Sequence, residues 1–417
     1  MAFLAIAAKP LVSPPVAPRP FTRDDSTVQY RSYHNTDPPK LHQLWHSCAL
    51  GRNAAEGFSC DVFELFSCSL PYFDRHGLIL AVDGERIVGF VHAGFAPNAE
   101  ESGLDQRQGV VSALMVHPDY RCQKIGSELV RRAEEYLRSK RAESVETGGG
   151  LNRNGFYCGI YGGLEPSGFC GSSAGWREFF EVCGYSPGSE TFVLRRDLQQ
   201  TRDPVNAKLL RHRRHLNLVI TDRPAHESWW WFARFGHLDS LRFELQEKTD
   251  KEVVASGQII GMDLFIPKWG VRCVGIREVF VPESQRRHGY AQALVLEICR
   301  RLRGEAVQLV EAQVASDNKP VIDLFVSAKF ELNDRLLTFR KALTQCRSAL
   351  FTHQAKARSR SPEAALNDAF PAVDVKWPVG DRSRVPANGL TRGGGGEEPG
   401  GAAFDIGKGF AANGPRQ

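Results

Sequence analysis

"ESQRRHGYAQAL", residues 283–294, sets a polar, basic run directly against one glycine and then the start of an apolar helix. The strand-like "GIREVFV", 275–281, leads into it. A helix N-terminus carries unpaired N–H groups and partial positive charge, which suits a phosphate. A glycine at that point permits positive φ and close approach of a ligand to the backbone. Arg286, Arg287 and His288 stand just before Gly289, where cationic side chains can supplement those amides. The stretch therefore reads as a pyrophosphate cradle. It holds no GKS or GKT and no GxGxxG, so it is neither a Walker loop nor a dinucleotide fingerprint.

A second stretch, "DYRCQKIGSEL" at 119–129, repeats the pattern less cleanly. The surroundings repeat as well. In the first segment a helix is expected after Asp37, a candidate N-cap followed by prolines. "LILAV" (78–82) and "RIVGFVHAGF" (86–95) read as a hairpin, and "GVVSALMV" (109–116) as a strand. An amphipathic helix from Gly126 to Leu137 follows, with Leu129, Val130, Ala133 and Leu137 on one face. Then come the strand "ESVET", the helix "WREFFEVCGY" (176–185) and a last strand "TFVLRRDL".

The second segment keeps this order. It runs through the strand "LNLVI" (216–220), the helix "HESWWWFARFG" (226–236) and a hairpin around "KTDK". "GIREVFV", a helix from about 289 to 302, the strand "VQLVEAQV", the helix "KPVIDLFVSAKF" and the strand "RLLTFRKAL" complete it. Repetition on this scale decides the fold class: two copies of one α/β domain with a mixed sheet, spanning 26–200 and 214–343, with a linker at 201–213. The proline-rich residues 1–25 and the glycine-rich residues 344–417 read as disordered.

Composition narrows the function. The net charge of +5 is too mild to imply nucleic acid, and "RHRRH" (211–215) reads as a solvated linker. Ten cysteines without a CxxC pair, and twelve histidines without metal-ligand spacing, point to a reducing cytoplasm and to no metal. "MAFLAIAA" lacks the basic n-region of a secretory signal, and no apolar run approaches the roughly 20 residues of a membrane span. Trp229, Trp230 and Trp231 are consecutive and cannot share one helix face, so at least one is expected at the surface or between the halves.

Arg286-x-x-Gly289-x-Ala291, in its strand–loop–helix setting, resembles the acyl-CoA loop of the GNAT acetyltransferase superfamily. "REVFV" before it, "ASDNKPVIDLFVSAKF" after it, and "LMVHPDYRCQKIGSELV" with "FFEVCGY" in the first copy follow the family's order. The tandem form also resembles mycothiol synthase in arrangement. The resemblance implies an N-acetyltransferase that moves an acetyl group from acetyl-CoA to an amine acceptor by direct attack. The cosubstrate would lie on Arg286, Arg287, His288, Gly289, Tyr290 and Ala291, on the strand residues Val279, Phe280 and Val281, and near Asn318. In the first copy the matching set is Met115, Val116, Arg121, Cys122, Gln123, Lys124, Ile125, Gly126 and Ser127.

Glu278 is the candidate base; its other reading is a surface carboxylate paired with a neighbouring arginine. Where many members carry a proton-donating tyrosine, this chain has Phe180 and Phe325. A thiolate can leave without help at modest cost. Lys124 replaces the first glycine of the motif in the first copy, so the second copy is expected to be the catalytic one. Between Pro282 and Arg286 there is one residue more than between Pro118 and Arg121, which reads as an insertion at the start of the loop. The long segment "GGGLNRNGFYCGIYGGLEPSGF" (148–169) reads either as an acceptor pocket or lid, or as a packing loop between the halves. An acyl-CoA-binding or scaffolding protein without turnover, and catalysis in the first copy, are the alternatives.

Overall fold

The structure is a computed structural model that describes residues 28–343 except 49, 173–174, 206, 223 and 225–226. Both segments expected to be disordered, 1–25 and 344–417, lie outside the described residues. The chain begins with β1 (Gln29–Ser32), α1 (Pro38–Ser47), α2 (Cys60–Leu65), β2 (Leu78–Asp83), β3 (Arg86–Pro97) and β4 (Leu104–Val116). It continues through α3 (Ile125–Ser139), β5 (Ser144–Thr147), β6 (Phe169–Cys170), α4 (Trp176–Val182) and β7 (Ser186–Asp197). The second round is α5 (Ala207–His215), β8 (Leu216–Thr221), α6 (Trp229–Phe235), β9 (Ser240–Glu247), β10 (Val253–Gly261), α7 (Ile266–Trp269) and β11 (Cys273–Phe280). It ends with α8 (Tyr290–Gly304), β12 (Leu309–Ala315), α9 (Lys319–Ser327) and β13 (Glu331–Ala342).

Among the described residues all thirteen strands belong to one mixed sheet, in the order β1-β2-β3-β4-β5-β13-β7-β12-β11-β10-β9-β8, with β6 beside β13. Read outward from its centre, the order is the same in both directions. Only β4/β5 and β11/β12 are parallel. The last strands are exchanged: β13 pairs with β5 (Phe339↔Thr147), and β7 pairs with β12 (Leu309↔Asp197). The two also pair with each other. Two of the apolar cores are finished by the end of the chain segment exchanged from the other half. Phe339 and Leu343 complete the core around α3, and Leu194 and Leu198 the one around α8.

The helices follow their apolar periodicity. Leu129, Val130, Ala133 and Leu137 of α3 are buried, as are Leu294, Val295, Ile298, Cys299 and Leu302 of α8. α1 starts where expected, but Asp37 does not cap it. Its carboxylate instead accepts from both terminal nitrogens of Arg31 (2.7 Å each) and from the His34 N–H (2.7 Å), and it makes no hydrogen bond to the helix. "RHRRH" is mostly exposed, and it is helical: it forms the end of α5. Of the three tryptophans, Trp230 and Trp231 are buried and Trp229 is 37% exposed.

Candidate functional site

The two motif loops share backbone conformation at their key positions. Arg121 (φ −69°, ψ 161°) matches Arg286 (φ −67°, ψ 158°). Cys122 (φ 59°) matches Arg287 (φ 65°), and Lys124 (φ 64°) matches Gly289 (φ 83°). The last position must be left-handed for the chain to turn into the helix. Lys124 therefore accepts a strain of about 1–2 kcal/mol that glycine avoids. In each loop the arginine Nε turns back to a carbonyl at the end of the preceding strand or just past it, Val116 at 3.2 Å and Val281 at 3.3 Å. Arg121 also donates to the Cys48 carbonyl at 3.0 Å. Both arginines thus brace the loop.

This equivalence removes the expected insertion. His117 (φ −52°) and Pro282 (φ −50°) occupy the same place ahead of a short 3-10 turn. The prolines sit at neighbouring positions in loops of equal length, because proline's fixed φ suits either one.

What covers the loops differs. Over the second lies α5. Lys208 Nζ donates to the Arg287 carbonyl (3.3 Å), and His212 Nε2 to the His288 carbonyl (2.9 Å). A Cβ on Gly289 would stand 3.0 Å from Lys208 Cε. The His212 ring packs on Tyr290, with centroids 4.8 Å apart. The strands behind this loop are covered too. Leu164, from the long 148–169 segment, fills the space over Gly275, and its N–H donates to Glu311 (2.8 Å). Gln313 Nε2 donates to the Gly162 and Glu165 carbonyls. Most of that segment is buried between the halves, as a packing loop would be. Its Glu165 pairs with the buried Arg234 at 2.6 Å.

Glu278 stands at a bulge with φ 54°. Its carboxylate pairs with the adjacent Arg277 at 2.7 Å, while Oε2 is buried without a hydrogen-bond partner. Phe280 is 56% exposed, whereas Val279 and Val281 pack on the second core. Asn318 caps α9, its Oδ1 accepting from the Val321 N–H at 3.4 Å. Phe325 is buried.

The first loop is open. A cavity of about 600 Å³ extends from it, lined by Met115, Val116, Arg121, Cys122, Lys124, Gly126 and Ser127 on the loop side. The opening comes from the sheet. β4 and β5 pair in parallel only as far as Val111↔Thr147, while β4 runs on to Val116. The final residues of β4 therefore line a gap instead of pairing with β5. Ile125 is buried under the helix, and Gln123 Nε2 donates to the Asp119 carbonyl.

Deeper in, the walls are Trp45, Leu50, Tyr157, Tyr161 and Phe169, with Trp176 and Phe179 on the α4 side. Phe180 is not a wall; it is buried between Trp176 and Phe339, stacked at 5.9 and 4.9 Å. Of the hydroxyl-bearing residues that line the cavity, Tyr157 and Tyr161 belong to the long segment, and Tyr120 and Ser127 to the loop side. Tyr157 Oη lies 2.9 Å from Nδ1 of the fully buried His92. Burial pushes the Tyr161 hydroxyl above its usual range, against an opposing hydrogen bond from the Cys170 backbone N–H. Burial also pushes the Cys48 thiol up to about 11, so it is protonated at neutral pH and is no nucleophile.

Among the described residues no group of three or more His, Cys, Asp or Glu is placed to hold a metal, and the nine described cysteines are free thiols. No described helix is long and apolar enough to cross a membrane.

Solved structures share this architecture. A glucosamine N-acetyltransferase region of a fungal multi-domain GH3 β-N-acetylglucosaminidase matches with TM-score 0.57 and 17% identity, over 76% of this chain and 38% of that one. The present chain thus spans well under half of that protein. A tandem GNAT protein from the clavulanic acid biosynthesis pathway matches with TM-score 0.55 and 17% identity, over 76% of this chain and 99% of that one. A comparison with curated proteins finds no match. The model of the acetyltransferase (GNAT) family matches residues 39–159 and 221–330, each spanning one of the two loops and together more than half of the sequence. The chain belongs to the acetyltransferase (GNAT) family.

Proposed function

We propose that the chain is an N-acetyltransferase that moves an acetyl group from acetyl-CoA to an amine, and that its N-terminal half does the chemistry. One observation carries this reading: the cavity of about 600 Å³ opens at the first loop, whereas α5 lies over the second. The intact glycine motif of the C-terminal half argues the other way, but there Lys208 and His212 already occupy the Arg287 and His288 carbonyls of the loop.

In this reading the first turn of α3, with Gly126 and Ser127, holds the diphosphate on its free N–H groups, and the Lys124 ammonium supplies countercharge. The unpaired edge of β4 beside the cavity polarises the thioester carbonyl and stabilises its developing charge. Tyr161, on the cavity wall, is the donor to the leaving thiolate, a task that its burial makes harder by raising its pKa. Glu278, the base proposed from the sequence, belongs to the other half. The likeness of arrangement to mycothiol synthase brings no acceptor with it.

The test is a calorimetric titration of acetyl-CoA into the wild type and into Ser127→Glu and Arg287→Glu. The expected result is binding by the wild type and Arg287→Glu, with loss in Ser127→Glu. Loss in Arg287→Glu with retention in Ser127→Glu would move the site to the C-terminal half. Binding without acetylation of any amine would make the chain an acyl-CoA-binding module.

A further inference from the structure

Resting on that reading, we infer that the acceptor is a weakly basic aromatic amine, neutral at physiological pH, and not a polyamine, an aminoglycoside or a lysine side chain. The inner walls of the cavity are Trp45, Leu50, Tyr157, Tyr161 and Phe169, which offer flat apolar contact and two hydroxyls. The charged groups of the lining are Lys124 and Arg121, both cationic, and they repel a polycation. No described lining residue is a carboxylate or an imidazole, and the sequence neighbours Ala49, Ser173 and Ala174 carry no ionisable group.

Two carboxylates connect to the cavity wall. Asp83 Oδ2 accepts from the Tyr120 hydroxyl at 2.7 Å. Asp334 is linked to Tyr161 through Cys170 and is already engaged. Oδ2 accepts from Cys170 Sγ (2.8 Å), Ser172 Oγ (2.9 Å) and Asn53 Nδ2 (3.3 Å), and Oδ1 from the Arg335 N–H (2.7 Å). Aromatic faces can attract an ammonium in place of a carboxylate. Here Trp45 has Tyr157 stacked on it (5.8 Å, 28°) and Trp176 has Phe180 (5.9 Å, 21°), so each has one face already taken.

An alkylamine titrates near 10, as lysine does, and must lose a proton before it attacks. An aniline-type amine is already unprotonated at neutral pH, so it needs no base from the walls. Its nitrogen lone pair forms the C–N bond to the thioester carbon. The C–S bond breaks with its pair going to sulfur, and the proton shed by nitrogen ends on sulfur. The products are the arylacetamide and the free thiol of CoA.

The experiment gives the full-length chain acetyl-CoA and, separately, p-anisidine, spermidine or a lysine-containing peptide, with products separated chromatographically. Acetyl-CoA binding is measured in parallel. The expected result is a kcat/KM for p-anisidine at least about tenfold above that for spermidine or the peptide. It should stay nearly flat between about pH 6.5 and 8.5, since no alkylammonium has to be deprotonated. Leu50→Asp, which places a carboxylate on the wall, should shift the preference toward spermidine by about tenfold. Faster turnover of spermidine or the peptide, acetyl-CoA binding with no arylamine product, or an unmoved ratio in Leu50→Asp overturns the acceptor assignment while the acetyl-CoA site stands. Failure to bind acetyl-CoA sinks the acetyltransferase reading itself.

Discussion

Lys208 lies across Gly289: its Cε is 3.0 Å from where a glycine Cβ would stand, and its Nζ donates to the Arg287 carbonyl. The loop that best matches the motif is thus under a helix from its own half. Gly289→Trp should leave acetyl-CoA affinity unchanged by calorimetry. The same variant should lose about 1–2 kcal/mol of stability in urea unfolding, because φ is +83° there. Loss of binding would return the cosubstrate to the second loop.

Lys124 presents the complementary case. It holds φ 64° where its counterpart is glycine. Lys124→Gly should raise unfolding stability by up to about 1 kcal/mol. It should also weaken acetyl-CoA binding and flatten its dependence on salt, since an ammonium at the cavity rim is removed. Unchanged affinity at low ionic strength would mean that this side chain does not meet the phosphates.

The Glu165–Arg234 pair ties the long segment to α6 in the interior. Burial alone would push Glu165 up, but the charges of Arg234 and Arg277, with hydrogen bonds from Arg234 and the Asn152 N–H, hold it below the usual carboxylate range. Glu165→Gln should cost about 3–5 kcal/mol, because a buried guanidinium loses its countercharge. With its folded pKa depressed, Glu165 stabilises fully above its unfolded value of about 4.3 and loses that contribution as pH falls through the folded value. Urea midpoints measured below about pH 4 should show the wild type approaching the variant; parallel curves there would refute the pairing energy.

His92 is neutral in the fold, its pKa pushed down to about 3 by complete burial. The unfolded chain binds a proton there below about pH 6.5, and the folded chain does not. Stability should therefore fall on acidification from about pH 6.5, by up to about 1.4 kcal/mol per pH unit from this group. His92→Gln should show a shallower slope between about pH 6.5 and 5. An identical slope would show that His92 is solvated and free to titrate.

Tyr161→Phe should lower kcat by about tenfold or more while acetyl-CoA affinity holds, since the hydroxyl is assigned to proton delivery and not to cosubstrate binding. An unchanged kcat would mean that the thiolate leaves unaided or is protonated by water.

The amino-acid sequence determined the local elements and their repetition. Alternation and 3.6-residue periodicity marked the strands and helices around both loops, because those patterns depend on near neighbours. It also marked Lys124 as the odd residue at a glycine position. Only the tertiary structure decided that β13 lies between β5 and β7, that α5 covers Gly289, and that Leu164 fills the face over Gly275. Strands β7 and β13 have the same local signature whichever sheet edge they join, so their exchange rests on non-local pairing alone. "RHRRH" reads as solvated charge and most of it is exposed, but the sequence does not show that its His212, and Lys208 earlier on the same short helix, meet carbonyls 76 and 79 residues away. Tyr161 likewise gained a place only when the long segment folded against the open edge of β4. Which of two similar cradles is open is a property of what packs on them, and that packing comes from residues far from either motif.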